Sequence, residues 1–166
     1  MDDDRNLLEL TREFLEREDE RFDIETATSA ADGLDAIRDR RPDCVVSDYD
    51  MPGTNGIEFL RAVREDCPDI PFILFTGKGS EAVASEAISA GVTDYLQKGT
   101  GTEQYELLAN RIVNAVQARR AARSATRQEE LMRLTEFTGN TGGWELDLES
   151  QELLLTDVTR DLFDLP

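Results

Sequence analysis

The stretch Val45-Val46-Ser47-Asp48-Tyr49-Asp50-Met51-Pro52-Gly53 decides the fold class of this chain. With the preceding residue it contains a short apolar run, Cys44–Ser47, which predicts a buried strand. Asp48 follows directly after that strand. A single Asp at such a place is often only a helix cap or a turn residue, so its meaning depends on the rest of the chain.

Helices and strands alternate on both sides of this first strand. Repeated helix-then-strand units of this length predict an α/β fold, a doubly wound parallel sheet with helices on both faces. The predicted helices are Asn6–Glu16, Ala30–Arg40, Gly56–Asp66, Ser80–Ala90 and a long one from Thr102 through Arg133, and the predicted strands are Phe22–Thr26, Cys44–Ser47, Phe72–Phe75 and Thr93–Gln97.

Polar side chains follow three of these strands, and an acidic pair opens the chain. Asp48, Thr76 and Lys98 stand at strand ends, which meet at the carboxyl edge of a parallel sheet. Asp2, Asp3 and Asp48 supply three carboxylates, which repel one another and stay ionised together only if a cation lies among them. Oxygen ligands suit Mg²⁺, while an ammonium and a hydroxyl can hold phosphoryl oxygens. The set predicts a site that forms an aspartyl phosphate.

Four segments, in this order and at these separations, resemble the receiver domain of two-component response regulators over residues 2–120. The resemblance implies a flavodoxin-like fold. The segments are Asp2-Asp3-Asp4, Val45-Val46-Ser47-Asp48-Tyr49-Asp50-Met51-Pro52-Gly53-Thr54-Asn55-Gly56, Phe72-Ile73-Leu74-Phe75-Thr76-Gly77 and Gly91-Val92-Thr93-Asp94-Tyr95-Leu96-Gln97-Lys98.

The resemblance also implies a role for each acidic residue. Asp48 resembles the phosphoacceptor of the family. Asp2 and Asp3 resemble the acidic pair that organises Mg²⁺, and the backbone carbonyl of Asp50 would complete the metal ligands. Alternatively, Asp2-Asp3-Asp4 is a solvated acidic terminus that caps the first helix.

Three other residues resemble the phosphoryl-sensing groups of the family. Thr76 and Tyr95 resemble the switch pair, and Lys98 resembles the lysine that contacts the phosphoryl group. Tyr95 is equally well explained as half-buried packing. The implied phosphodonor is a sensor histidine kinase, and the implied activity is that of a signalling module rather than an enzyme.

The chain departs from the family pattern in two places. Gly99 follows the lysine where the family usually has Pro, which puts the local geometry in doubt. The first strand of the family is missing, since only Met1 precedes the acidic residues. A misplaced gene start, a trimmed chain or another segment that fills the gap would each account for it.

Composition restricts the classes of partner. The formal net charge is −18, with no His, which argues against nucleic-acid binding by this segment. No apolar run is long enough to cross a bilayer and no signal peptide opens the chain, so we expect a soluble cytoplasmic protein.

Lys occurs only at 78 and 98, and all other basic residues are Arg. A surface poor in Lys and rich in carboxylates is typical of a halophile's protein.

The composition changes towards the end of the chain. Residues 121–137 are polar and Ala-rich, which predicts a helical linker. Residues 138–166 resemble the opening of a PAS sensor domain, on the evidence of Gly142-Gly143-Trp144-Glu145-Leu146-Asp147-Leu148. A hairpin is predicted there, with a helix over Val158–Leu165. The whole arrangement resembles the receiver–PAS proteins of halophilic archaea.

Two other functions compete with the receiver assignment. A Mg²⁺-dependent phosphatase of the haloacid-dehalogenase type would also use Asp48 as nucleophile, with Asp50 as the second carboxylate. That class wants Thr or Val where this chain has Pro52, and no later paired-Asp motif follows. A flavodoxin-like nucleotide binder would need a phosphate loop. The segment Thr76-Gly77-Lys78-Gly79 lacks the residue spacing of the Walker phosphate loop and is interpreted as a flexible loop.

The apolar residues of the helix from Thr102 through Arg133 and of the tail predict that the chain forms an oligomer. A hairpin alone is marginal in water and becomes stable by packing on something else. We therefore expect a two-fold homodimer held by the Leu108–Val116 face and the tail. A long coiled coil is not expected, because polar residues interrupt the apolar heptads.

Overall fold

The structure is a computed structural model that describes residues 1–138, 144–147 and 152–163. The chain divides into two compact units, Met1–Arg119 and Arg120–Pro166. No helix among the described residues is both long enough and apolar enough to cross a bilayer.

Helices and strands alternate through the first unit, as the sequence pattern predicts. Side-chain caps begin the helices: the Asp4 carboxylate accepts from two backbone N–H groups of the first turn, and Asn55 forms a capping box with Glu58. The helices are α1 (Arg5–Glu18), α2 (Ala30–Arg40), α3 (Gly56–Asp66), α4 (Glu81–Ser89) and α5 (Glu103–Thr138), and the strands are β1 (Val45–Ser47), β2 (Phe72–Thr76) and β3 (Asp94–Gln97).

The three strands form one parallel sheet in the order β1-β2-β3. Val46 lies opposite Ile73, and Leu74 lies opposite Tyr95, so all three strands end at the same edge. This confirms the predicted α/β parallel sheet. The central strand β2 is buried along its whole length.

Each face of the sheet carries its own hydrophobic core. Phe72 and Leu74 of β2 pack with residues of α2 and α3, whereas Ile73 and Phe75 pack with residues of α1 and α5. This division follows from the alternation of side chains along a strand. Helices therefore cover both faces, as in a doubly wound fold.

The start of the chain lies next to β1. The Met1 α-amino group donates to Val46 O at 2.7 Å, and Asp48 N–H donates to Met1 O at 2.9 Å. Asp2 N–H donates to Ala27 O at 3.3 Å. Burial lowers the pKa of the Met1 α-amino group to about 6. Met1 and Asp2 thus bridge β1 and the segment before α2.

The prediction of a strand over Phe22–Thr26 is wrong. Phe22 and Ile24 are half-buried and pack on the α1–α5 core, while Asp23 and Glu25 are exposed, so the side chains alternate as they would in a strand. The structure assigns no strand there. A strand is defined by its hydrogen-bonded ladder, and the start of the chain makes a single backbone hydrogen bond next to this segment, from Asp2 N–H to Ala27 O.

The predicted dimer face is also wrong, because the chain covers it itself. Leu108 is fully buried and Ile112 is 8% exposed, and both belong to the core between α5 and the sheet. The apolar residues of α5 that suggested a partner helix are therefore used inside the first unit.

The second unit contains a hairpin and a short helix. Strands β4 (Trp144–Leu146) and β5 (Leu153–Leu155) are antiparallel, and Asp147 N–H donates to Glu152 O at 2.8 Å. Helix α6 (Asp157–Leu162) follows after the cap residue Thr156. The predicted hairpin and helix are thus present. Residues 139–143, 148–151 and 164–166 lie outside the described part, and with them Gly142, Gly143 and Leu148 of the PAS-like segment.

Candidate functional site

Asp48 lies immediately after β1 and is nearly buried, with 7% of its surface exposed. Its Oδ1 accepts a hydrogen bond from Lys98 Nζ at 2.8 Å, and its Oδ2 accepts one from the backbone N–H of Asp50 at 2.8 Å. Both carboxylate oxygens are thus held in a defined direction at the carboxyl edge of the sheet.

Lys98 follows β3 and connects two carboxylates. Its ammonium donates to Asp2 Oδ2 at 2.6 Å as well as to Asp48, and its backbone N–H donates to Thr76 O at 2.8 Å. Burial would lower the pKa of Lys98, but the hydrogen bonds to the two carboxylates outweigh it and hold the pKa above 10.5. Lys98 therefore stays charged at neutral pH.

The structure separates the acidic residues at the start of the chain. Asp2 is buried, and its Oδ1 accepts from the backbone N–H of Asp4 at 3.0 Å. Asp3 is exposed, and Asp4 caps α1. Asp2 therefore joins the site, whereas the helix-capping alternative is correct for Asp4. Within the described ranges, no three His, Cys, Asp or Glu side chains are grouped so that they could hold a metal ion.

Thr76 and Tyr95 lie on neighbouring strands. Thr76 ends β2 and is fully buried, and its Oγ1 accepts from the backbone N–H of Lys78 at 3.2 Å. Tyr95 is half-buried, with a buried hydroxyl that has no hydrogen-bond partner in the structure. The role of these two residues as a switch pair stays a prediction.

Gly56 explains how α3 fits against the site. A Cβ atom at this position would stand 2.2 Å from the backbone oxygen of Asp48 and 2.8 Å from Leu74 Cδ1. The Gly56 N–H donates to Tyr49 O at 2.9 Å. The first turn of α3 thus presses directly on the loop that carries Asp48, and glycine is needed for that approach.

Gly99 replaces the proline of the family pattern and uses its backbone N–H. The peptide bond that joins Lys98 to Gly99 is trans. The Gly99 N–H donates to Gln104 Oε1 at 2.9 Å, which connects the residue after Lys98 to the first turn of α5. Proline has no N–H and could not make this bond.

One pair of residues at the site was not predicted from the sequence. The Lys78 ammonium donates a hydrogen bond to Asp50 Oδ2, so the loop after β2 is joined to the loop after β1. The sequence feature that could have pointed to Lys78 is the scarcity of lysine, because the chain contains only two lysines. Both lysines lie at this edge of the sheet, and each pairs with a carboxylate there.

The donor set of the site fits a divalent cation. Two buried carboxylates share one ammonium, which leaves one negative charge uncompensated. Mg²⁺ commonly binds through one or two carboxylates and keeps several waters, so two such groups are sufficient. Asp2 and Asp48 supply them, and Asp3 is next in the chain to Asp2.

The fold and the site define a class of protein, a flavodoxin-like α/β domain with a carboxylate and a lysine at the carboxyl edge of its parallel sheet. The model of the response regulator receiver domain family matches residues 1–110. The chain therefore belongs to this family, and these residues are a receiver domain of two-component signalling.

Individual relatives agree with this assignment. The response regulator MprA of Mycobacterium sp. (strain KMS) is 36% identical over 109 residues, which cover 66% of this chain and 46% of that protein. The regulatory protein LuxO of Vibrio cholerae is 30% identical over 92 residues, which cover 55% of this chain and 20% of LuxO. The matched part of the chain spans about half the length of MprA and about a fifth of the length of LuxO.

Solved structures show the same fold. A response regulator receiver domain protein from Clostridium thermocellum superposes with a TM-score of 0.65 at 27% identity, covering 73% of this chain and 94% of that one. A CheY-like receiver domain protein from Methanospirillum hungatei gives 0.65 at 26% identity, covering 73% and 93%.

Proposed function

We propose that the receiver domain of this chain is phosphorylated on Asp48. The observation that carries the proposal is the nearly buried Asp48 carboxylate, held by Lys98 on one oxygen and by the Asp50 N–H on the other. In the reaction a carboxylate oxygen of Asp48 forms a bond to phosphorus, while the bond from phosphorus to the donor's leaving group breaks. The leaving group departs with the electron pair of that bond.

Asp2 and Asp48 would hold Mg²⁺, with Asp3 and the backbone carbonyl of Asp50 as further ligands. When bound, the ion neutralises charge on the phosphoryl oxygens as they approach the carboxylates. The uncompensated negative charge beside Lys98 supports this assignment.

Lys98 and Thr76 would receive the phosphoryl oxygens. The Lys98 ammonium is charged at neutral pH and already contacts Asp48, so it is placed to pair with an oxygen bound to the same carboxylate. The Thr76 hydroxyl is buried at the next strand end and can donate to another oxygen. Tyr95 would respond to phosphorylation. Its buried hydroxyl makes no hydrogen bond in the structure, so a change of its position would break none.

The module acts as a phosphoacceptor rather than as an enzyme with turnover, and a sensor histidine kinase is its phosphodonor.

Residues 138–166 are proposed as the opening of a PAS domain, which the hairpin of β4 and β5 followed by α6 supports. The excess of carboxylates and the scarcity of Lys support a halophilic, cytoplasmic protein like the receiver–PAS proteins of archaea. A homodimer is proposed through residues after Arg119.

The test is labelling of the chain with radioactive acetyl phosphate. We expect stoichiometric label only when Mg²⁺ is present, and none in Asp48→Asn. The matched control is Asp39→Asn, an exposed Asp on α2 that should leave labelling unchanged. Label that persists in Asp48→Asn would remove Asp48 from the role. Release of many equivalents of phosphate per chain would instead favour the phosphatase.

A further inference from the structure

The residue after Lys98 is held by a side chain of α5. Gly99 N–H donates to Gln104 Oε1 at 2.9 Å, and Gln104 Nε2 donates to Gly101 O at 2.7 Å. One amide side chain thus uses both its acceptor and its donor group on the short connection between β3 and α5. We call these two hydrogen bonds the Gln104 clamp.

Neither space nor backbone conformation requires glycine at position 99. A Cβ atom on Gly99 would meet no heavy atom within 4 Å. Among the glycines that the structure describes, positive φ occurs at Gly53 and Gly91 but not at Gly99. A larger side chain would therefore fit there, and what the position supplies is the backbone N–H that proline lacks.

The clamp is anchored to the core of the domain. Tyr105 directly follows Gln104 and is 4% exposed, and its ring stacks on that of Phe14 in α1 with the ring centroids 4.7 Å apart. The Tyr105 N–H donates to Thr102 O at 2.9 Å at the start of α5. Gln104 therefore extends from a well-packed helical turn towards Gly99.

The backbone of Lys98 is thereby fixed on both sides. Its own N–H donates to Thr76 O at 2.8 Å, and the next N–H in the chain belongs to the clamp. Between these two fixed points the Lys98 ammonium reaches Asp48 Oδ1 at 2.8 Å. A shift of the Gly99 backbone would move this ammonium relative to Asp48, because Lys98 and Gly99 share a peptide bond.

We propose that Gln104 is a positioning residue for the phosphorylation of Asp48, and that its clamp on Gly99 holds Lys98 where it can pair with a phosphoryl oxygen. The inference rests on the proposed function. With acetyl phosphate as donor, an Asp48 oxygen bonds to phosphorus, the bond from phosphorus to the acetyl oxygen breaks, and acetate leaves with the electron pair. Gln104 touches none of these atoms and acts through the position of Lys98.

The rate of labelling by acetyl phosphate and Mg²⁺ tests the proposal. At a saturating donor concentration, Gln104→Ala should label about three- to tenfold more slowly, because a charged group displaced from the reacting atoms stabilises the transition state less. Amide hydrogen exchange at Gly99 should become about fivefold faster, which verifies by NMR that the clamp is lost. The matched control is Gln117→Ala, which removes an exposed glutamine further along α5 and should leave the labelling rate unchanged.

Two further variants separate positioning from a general loss of stability. Gln104→Glu keeps a side-chain oxygen that accepts from Gly99 N–H, so its labelling rate should stay close to that of the wild-type chain. In a chain that also carries Lys98→Met, Gln104→Ala should have no further effect on the rate, because the group that Gln104 positions is gone. Circular dichroism verifies that each variant is folded.

Two results would overturn the role of Gln104 alone. One is an unchanged labelling rate in Gln104→Ala although the Gly99 amide exchanges faster. The other is an equal slowing by Gln104→Ala with and without Lys98, which would show that Gln104 acts on another part of the site. A wild-type chain that takes no label would overturn the proposed phosphorylation of Asp48, and the role of Gln104 with it.

Discussion

The ammonium of Lys98 lies between two carboxylates, those of Asp2 and Asp48, with 16% of the Lys98 side chain exposed. Without it, two negative charges would face each other in a nearly buried site. Its raised pKa means that its stabilising contribution is present at neutral pH and is lost only as the pH rises above 10.5. Lys98 is thus a structural group as well as a candidate phosphoryl ligand.

Replacing Lys98 with Met should therefore destabilise the domain. We expect the free energy of unfolding to fall by about 3 kcal/mol, because two buried carboxylates lose their partner. Urea denaturation at neutral pH measures the change. Lys78→Met is the matched control, since its exposed ion pair should contribute less than about 1 kcal/mol. Equal losses in the two variants would contradict the role given to Lys98.

Cys44, just before β1, is half-buried and packs on the α1–α5 core. Burial raises its pKa to about 12, with a further contribution from the charge of Asp43. In Cys67→Ala, where Cys44 is the remaining thiol, alkylation near neutral pH should be about a thousandfold slower in the folded chain than in urea. Mass spectrometry of the alkylated chain measures both rates. Similar rates in the two states would contradict the raised pKa of Cys44.

At the scale of elements, the contact between α3 and the loop after β1 sets the position of Asp48. The Asn55–Glu58 capping box defines where α3 begins, and Gly56 allows its first turn to touch the Asp48 backbone. The helix start and the candidate phosphoacceptor are therefore one packed unit.

Gly56→Ala should disturb that unit. A methyl group 2.2 Å from Asp48 O forces the loop to move, and we expect a loss of about 2 kcal/mol in unfolding free energy together with weaker labelling of Asp48. Urea denaturation and acetyl phosphate labelling report the two effects. Gly101→Ala is the control, because its Cβ would have its nearest neighbour at 4.0 Å. A stable, fully labelled Gly56→Ala chain would contradict the close contact.

At the scale of the whole molecule, the two compact units differ in how they use their apolar residues. The first unit buries Leu108 and Ile112 in its own core, and its exposed large apolar side chains, Leu10, Ile88 and Leu107, lie on three different turns of helix. In the second unit, Trp144, Leu146 and Leu153 lie on one face of the hairpin and are 68%, 46% and 54% exposed. Self-association is therefore expected to depend on the second unit.

Truncation after Arg119 tests this expectation. We expect residues 1–166 to form a dimer in high salt, and residues 1–119 to be a folded monomer, because the exposed hairpin face is removed. Light scattering gives the mass, and circular dichroism verifies that the shorter chain is folded. A dimer of residues 1–119 would place the interface in the receiver domain instead.

The sequence by itself determined the order of helices and strands, and it placed Asp48, Thr76 and Lys98 at strand ends. These features depend on local periodicity and on short motifs, and strand ends of a parallel sheet necessarily meet at one edge. The resemblance to receiver domains followed from the same motifs.

The tertiary structure alone decided which residues meet. It placed Asp2 but not Asp3 on Lys98, and it joined Lys78 to Asp50 across two loops. In the tertiary structure Leu108 packs in the core, and Phe22–Thr26 forms no hydrogen-bonded pairing with another strand. Each of these outcomes depends on a partner distant in sequence, and a local pattern states that a side chain is apolar or charged without stating which group it will contact.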